Sequence, residues 1–292
     1  MTACLTACGA TQDPPDTAES TVREMPEPAR IYDLRHGSEV DELQMLTDLR
    51  SARAIYLGER HDVPLDHAMQ YRIIRALHRE DASMVLGFEM FQKPFQNVLD
   101  DWTNGMLDEE ALRRRSEWDE RWGFDIRMYR PVLELARSRA IPAWALNAPR
   151  ELTRAVALQG LEGLPEAMRS QIPENMDLDD EAHQDLVRAS LAAHPHGNDP
   201  NALARLYEAQ VTWDEVMAET VAEAIRNGAS RIVVLAGQMH VKAGLGIPKR
   251  AARRGAQPYS VVLAVEDDDE LIEELKSAQP RVADYLWVHD SD

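Results

Sequence analysis

The run Arg231-Ile232-Val233-Val234-Leu235-Ala236 is followed at once by Gly237-Gln238-Met239-His240. Its apolar residues have no polar face and are too few for a helix, so they read as a strand buried on both sides, as in parallel sheets. Four more runs share this form: Ala54-Ile55-Tyr56-Leu57 ending at Gly58, Met84-Val85-Leu86-Gly87-Phe88, Ile141-Pro142-Ala143-Trp144-Ala145-Leu146 and Ser260-Val261-Val262-Leu263-Ala264. Tyr285-Leu286-Trp287-Val288 reads as a further strand. Pro142 has no amide hydrogen to give a ladder and fits only near a strand start. Between the runs, apolar residues recur at helical spacing, as in Leu65, Met69, Ile73 and Leu77.

Strands alternating with helices predict an α/β domain, a mostly parallel central sheet flanked by helices. That domain is assigned to residues 31–292, and the chain of 292 residues with 44% hydrophobic content suffices to bury its core. Arg150 to about Asn227 reads as helical throughout. Inside it, about 152–203 fits the alternation poorly, with Pro165, Pro173, Pro195 and Pro200 and no strand-like run. A small helical insertion sub-domain is expected there.

Lys and Arg number 32 against 51 Asp and Glu, a formal net charge of −19. Such a surface repels phosphate backbones, which argues against a nucleic-acid partner, and it disfavours spreading on anionic lipid. No stretch approaches the roughly 20 apolar residues of a spanning helix. Cys4 and Cys8 are the only cysteines, so from Gly9 onward thiol nucleophiles and thiolate metal sites are excluded. Leu5-Thr6-Ala7-Cys8 has the form of a bacterial lipobox, whose cysteine carries lipid. Residues 10–30 hold Pro14, Pro15, Pro26 and Pro28 among Asp, Glu, Thr and Ser and cannot bury enough apolar area to fold. Residues 1–30 are therefore expected to be a lipidation signal and disordered tether, with Cys8 as the attachment point. The expected location is the bacterial envelope, at the outer membrane facing the periplasm and held by the lipid alone. The other reading of this segment is a disordered cytoplasmic tail.

In open α/β sheets, ligands bind at the carboxyl ends of the strands. Here those ends run into Gly58-Glu59-Arg60-His61, Glu89-Met90-Phe91, Asn147-Ala148-Pro149-Arg150 and Gly237-Gln238-Met239-His240. One Glu or His after a strand is ordinarily a cap or a solvated loop residue, but four strands delivering polar groups to one edge predict a cleft. Gly58 and Gly237 are expected to let the backbone turn sharply there. The helix from Leu203 to Ile225 carries Gln210 and Asp214 beside its apolar stripe. They either bond a loop or orient His61 or His240 from behind. Asn147, Arg150 and Gln238 are expected to play the same supporting part.

Two chemistries fit this set. As an enzyme, Glu59, His61, Glu89 and His240 supply acid and base for hydrolysis, or His61, Glu89 and His240 hold a divalent metal. As a binding module, the same edge forms the floor beneath a ligand held by the helical insertion. His183, His194, His196 and Tyr207 lie there, and imidazole is a good iron ligand while helices supply the apolar walls that haem needs. His194-Pro195-His196 also reads as an ordinary polar loop. Without a CxxCH motif, covalent haem attachment is excluded.

Taken together and in order, Gly58-Glu59-x-His61, Phe88-Glu89-Met90-Phe91, Asn147-x-Pro149-Arg150, Tyr207-Glu208-Ala209-Gln210 with Trp213-Asp214, Gly237-Gln238-x-His240 and Gly246-Ile247-Pro248 resemble the ChaN-like haem-binding lipoproteins. These share a superfamily with the erythromycin esterases and the TIKI/TraB metalloproteases. The resemblance covers about Ala54 to Ala264. It implies an α/β core with a small helical domain, haem bound between two copies of a homodimer, and a part in haem or iron acquisition. From the superfamily it implies catalytic or metal-binding roles for Glu59, His61, Glu89 and His240.

Overall fold

The computed structural model describes residues 27–191 and 200–290. Cys8, most of the tether, His194 and His196 lie outside the described residues. Eight strands form one sheet: β1 (Arg30–Asp33), β2 (Ser38–Glu39), β3 (Ala54–Glu59), β4 (Val85–Gln92), β5 (Ala143–Asn147), β6 (Ile232–Gly237), β7 (Tyr259–Glu266) and β8 (Tyr285–His289). Their order is β2-β1-β8-β7-β3-β6-β4-β5. The five inner pairings from β8 to β5 are parallel. Only β1 runs against its neighbours β2 and β8. All the strands expected from sequence are present, and the architecture is the expected α/β one.

The apolar runs fill both faces of this sheet. Ile55, Leu57, Val233 and Leu235 join one core layer, whereas Ala54, Tyr56, Ile232, Val234 and Ala236 join the other. This is the period of two of an extended chain, with helices over each side. The first layer lies beneath α1 (Glu42–Leu49), α2 (Pro64–His78), α3 (Gln96–Thr103), α4 (Glu109–Arg115), α5 (Trp118–Arg121) and α6 (Ile126–Ser138). Asp41, Asp108 and Asp125 accept backbone hydrogen bonds at the starts of α1, α4 and α6, meeting orphan amides there.

Residues 150–226 contain α7 (Arg150–Gln159), α8 (Glu166–Arg169), α9 (Glu181–Leu191) and α10 (Pro200–Arg226). Among the described residues, Pro165, Pro173 and Pro200 thus fall where the expected helical region divides into four helices. A third apolar cluster joins α7 to α10 through Leu152, Val156, Ala209 and Val216. After β6 come α11 (Gln238–Val241), α12 (Ile247–Arg253) and, beyond β7, α13 (Asp269–Ser277).

The sheet ends at β5, which pairs only with β4. On its open side, the Gln96 amide takes the place of a neighbouring strand. Its Nε2 donates to the Ala143 carbonyl at 2.8 Å and its Oε1 accepts from the Ala145 amide at 2.7 Å. That satisfies two backbone groups which would otherwise template pairing with another chain.

Candidate functional site

Because β3, β4, β5 and β6 run parallel, their carboxyl ends share one edge, and the polar residues of sequence gather there. Glu59 is the last residue of β3, only 1% exposed. Its Oε1 accepts from His61 Nδ1 at 2.9 Å and from the Tyr129 hydroxyl at 2.8 Å, and its Oε2 from Gln70 Nε2 at 2.6 Å. His67 Nδ1 stands 3.4 Å from the same oxygen. Burial alone would raise this carboxyl, but the bonds from His61 and His67 outweigh it and hold its pKa at about 2. The carboxylate therefore fixes a proton on Nδ1 of His61 and leaves Nε2 toward the cleft. Trp122 and Phe124 pack on the His61 ring at centroid distances of 4.7 and 4.9 Å.

Glu89 lies inside β4, buried, with Oε2 accepting from the Gly237 amide at 2.6 Å. Its Oε1 is 3.2 Å from His240 Nε2. The other His240 nitrogen, Nδ1, bonds Asp214 Oδ1 at 2.7 Å, and the Gln210 amide lies 3.1 Å from it. Burial opposes charge on this imidazole, yet Glu89 and Asp214 together raise its pKa to about 10. Asp214, buried on α10, is lowered to about 2 because His240 and His183 outweigh its own desolvation.

The expected residues Glu59, His61, Glu89, His240, Gln210 and Asp214 are thus brought together. His61 and His240 meet around Glu89 and Gly237, where an added Cβ would stand 2.9 Å from His61 Nε2 and 3.7 Å from Glu89 Oε2. Gly58 makes no turn, and the strand-to-helix turn at Gly237, where β6 ends and α11 begins, uses backbone angles open to any residue. Gly58 lies within β3, and its missing side chain admits Leu263 and Val241, whose methyls would be 2.4 and 2.8 Å from a Cβ. Gly237 has φ −58° and leaves room for His61. Among the described residues, no group of three or more His, Cys, Asp or Glu side chains is arranged to hold a metal ion. The carboxylates on both His240 nitrogens explain this, since they leave it no free lone pair.

The supporting residues divide. Gln238 donates to the Ala264 carbonyl and Arg150 to the Glu120 carbonyl, so both fasten backbone rather than a histidine. Asn147 keeps a buried Oδ1 with no hydrogen-bond partner. His183 is wholly buried, with Nδ1 3.3 Å from the Tyr207 hydroxyl and 3.1 Å from an Arg250 guanidinium nitrogen. Tyr207 itself is half-buried, and burial pushes its hydroxyl up to about 12. Sequence reasoning missed His67, Gln70, Tyr129 and Arg250. The first two carried a signal: polar residues at i and i+3 on the Met69-Ile73-Leu77 helix, buried only because Glu59 receives them.

A family profile described as haem-binding uptake, Tiki superfamily, ChaN, matches residues 45–251. Among solved structures, ChaN of Campylobacter jejuni, described by its cofacial haem binding, superposes with a TM-score of 0.70 at 18% identity. That match covers 88% of this chain and 95% of the other, and it shows a shared fold. The chloroplastic protein RETICULATA-RELATED 5 of Arabidopsis thaliana is 26% identical over 283 residues, 89% of this chain. The chain spans 38% of that plant protein's length.

Proposed function

The chain belongs to the ChaN family of haem-binding uptake proteins in the Tiki superfamily, and from that premise we propose that it binds haem at the carboxyl edge of its sheet, with Tyr207 as the iron ligand. The observation that carries the ligand assignment is the half-buried Tyr207 hydroxyl set against the His183 imidazole. The donor chemistry fits: tyrosine oxygen is an established axial ligand of ferric haem. Bound there, haem would supply a Lewis-acidic iron that lowers the cost of deprotonating a phenol. Tyr207 shares one stripe of α10 with Gln210 and Asp214, which bond His240, so the ligand position and the strand-end cluster are built on one rigid helix. His183 supports this reading from behind the tyrosine. His194 and His196 remain candidates for a second contact.

The test is a hemin titration of the purified protein followed by the Soret band. Wild type should saturate with a shifted band, and Tyr207→Phe should lose that shift while its far-ultraviolet spectrum is unchanged. Unaltered hemin binding by Tyr207→Phe would remove Tyr207 from the proposal. No shift in wild type would remove haem, leaving acid–base chemistry by His61, Glu89 and His240 as the function to assay. A role in haem or iron acquisition at the envelope belongs to the same proposal, with Cys8 as the lipid attachment and a second copy covering the cleft. Cell fractionation checks the anchor: membrane recovery should fall in Cys8→Ser, and unchanged recovery refutes it.

A further inference from the structure

Arg250 lies on α12, only 1% exposed, with its guanidinium shared among Glu215, the Leu245, Gly246 and Asp177 carbonyls, and His183. A guanidinium carries only donors and does not give up its proton in a protein. Where it stands 3.1 Å from His183 Nδ1, that nitrogen must therefore present a lone pair. The ring's one N–H is then on Nε2, which lies 3.1 Å from Asp214 Oδ2, off the line of a good hydrogen bond. Both nitrogens of this fully buried ring are turned to protein groups, so His183 has no lone pair for iron. The single Nδ1 lone pair also faces the Tyr207 hydroxyl, 3.3 Å away, so the phenol shares it with the Arg250 guanidinium and can meet that nitrogen only as a donor.

We infer that Arg250 is a positioning residue for Tyr207, acting through His183: the fixed cation sets the imidazole tautomer, and in the haem-free protein the imidazole accepts a hydrogen bond from the phenol and so holds its oxygen in place, the phenolic proton leaving to solvent from the half-buried side chain when the oxygen takes the iron. This goes further than the haem proposal, on which it rests for its purpose, by naming the two groups that orient the ligand oxygen. It also reassigns His183 from the iron to the support of the tyrosine.

Two measurements test it. In the haem-free protein with 15N-labelled histidine, long-range proton–nitrogen correlation at neutral pH should show His183 protonated on Nε2 alone. A proton on Nδ1 overturns the inference, whether or not hemin binds. In hemin titrations, His183→Leu removes the acceptor and should weaken binding about 10-fold, the scale of losing a residue behind a metal ligand. His183→Asn restores an acceptor near the Nδ1 position and should recover most of that loss. Equal affinities for wild type and His183→Leu would overturn the positioning role, as would a failure of His183→Asn to recover any of it with its thermal melt intact. Arg250 is not the residue to replace first, because its loss would also release the Leu245, Gly246 and Asp177 carbonyls that its guanidinium ties together. A wild type that binds no hemin refutes the haem reading separately, and the tautomer still decides the Arg250–His183 contact.

Discussion

At the scale of single residues, the strongest feature is an imidazole between two carboxylates. His240 has its pKa raised from 6.5 to about 10 against the effect of burial, by Glu89 and Asp214. Its folded value lies above its unfolded one, so the stability it contributes is complete below about pH 6.5 and is lost as pH climbs through about 10. Asp214 runs the other way: lowered from 3.8 to about 2, its contribution is present above 3.8 and is lost as pH falls toward 2. Urea midpoints measured across pH should therefore hold a plateau between these limits, with an alkaline decline that His240→Gln flattens. An alkaline limb unchanged in His240→Gln would refute the charged pair. The site was legible to this depth because each of its first contributors follows an apolar run, and Asp214 is a polar residue beside an apolar stripe. Tyr129 and Arg250 were not legible. Each meets its partner, Glu59 or His183, 70 or 67 residues away, across helices whose packing no local pattern encodes.

At the scale of elements, each strand in the buried body of the sheet was read within a few residues, because two-sided burial demands an unbroken apolar run. The misreading lay in where the runs stop. Glu59 closes β3, and Glu89 lies inside β4, which continues to Gln92. A polar side chain ends a strand by pattern but not in fact when buried donors receive it. The strands β1 and β2, at the end of the sheet away from β5, escaped notice because they are four and two residues long and partly charged. Gln96 shows how an edge is managed from outside the strand. Gln96→Ala removes two hydrogen bonds to β5, which should cost about 1–2 kcal/mol in urea unfolding. It should also raise light scattering on concentration as the bared edge seeks partners. A variant as stable and as soluble as wild type would show that the amide plug is dispensable.

At the scale of the whole molecule, fold class followed from alternation alone, since short buried strands separated by helices admit few arrangements. The strand order did not follow, because nothing local tells β8 to enter between β7 and β1. That placement also joins the described part's first and last strands, side by side and antiparallel, with the Ala29 amide bonded to the Val288 carbonyl. The consequence concerns time rather than shape. A ribosome releases β1 first and β8 after every other strand, so the opening strand has only the two-residue β2 to pair with while the rest of the domain is being made. The sheet can be completed only after the last strand has been synthesised, and until then β7 keeps an unpaired flank that nascent-chain chaperones would have reason to cover.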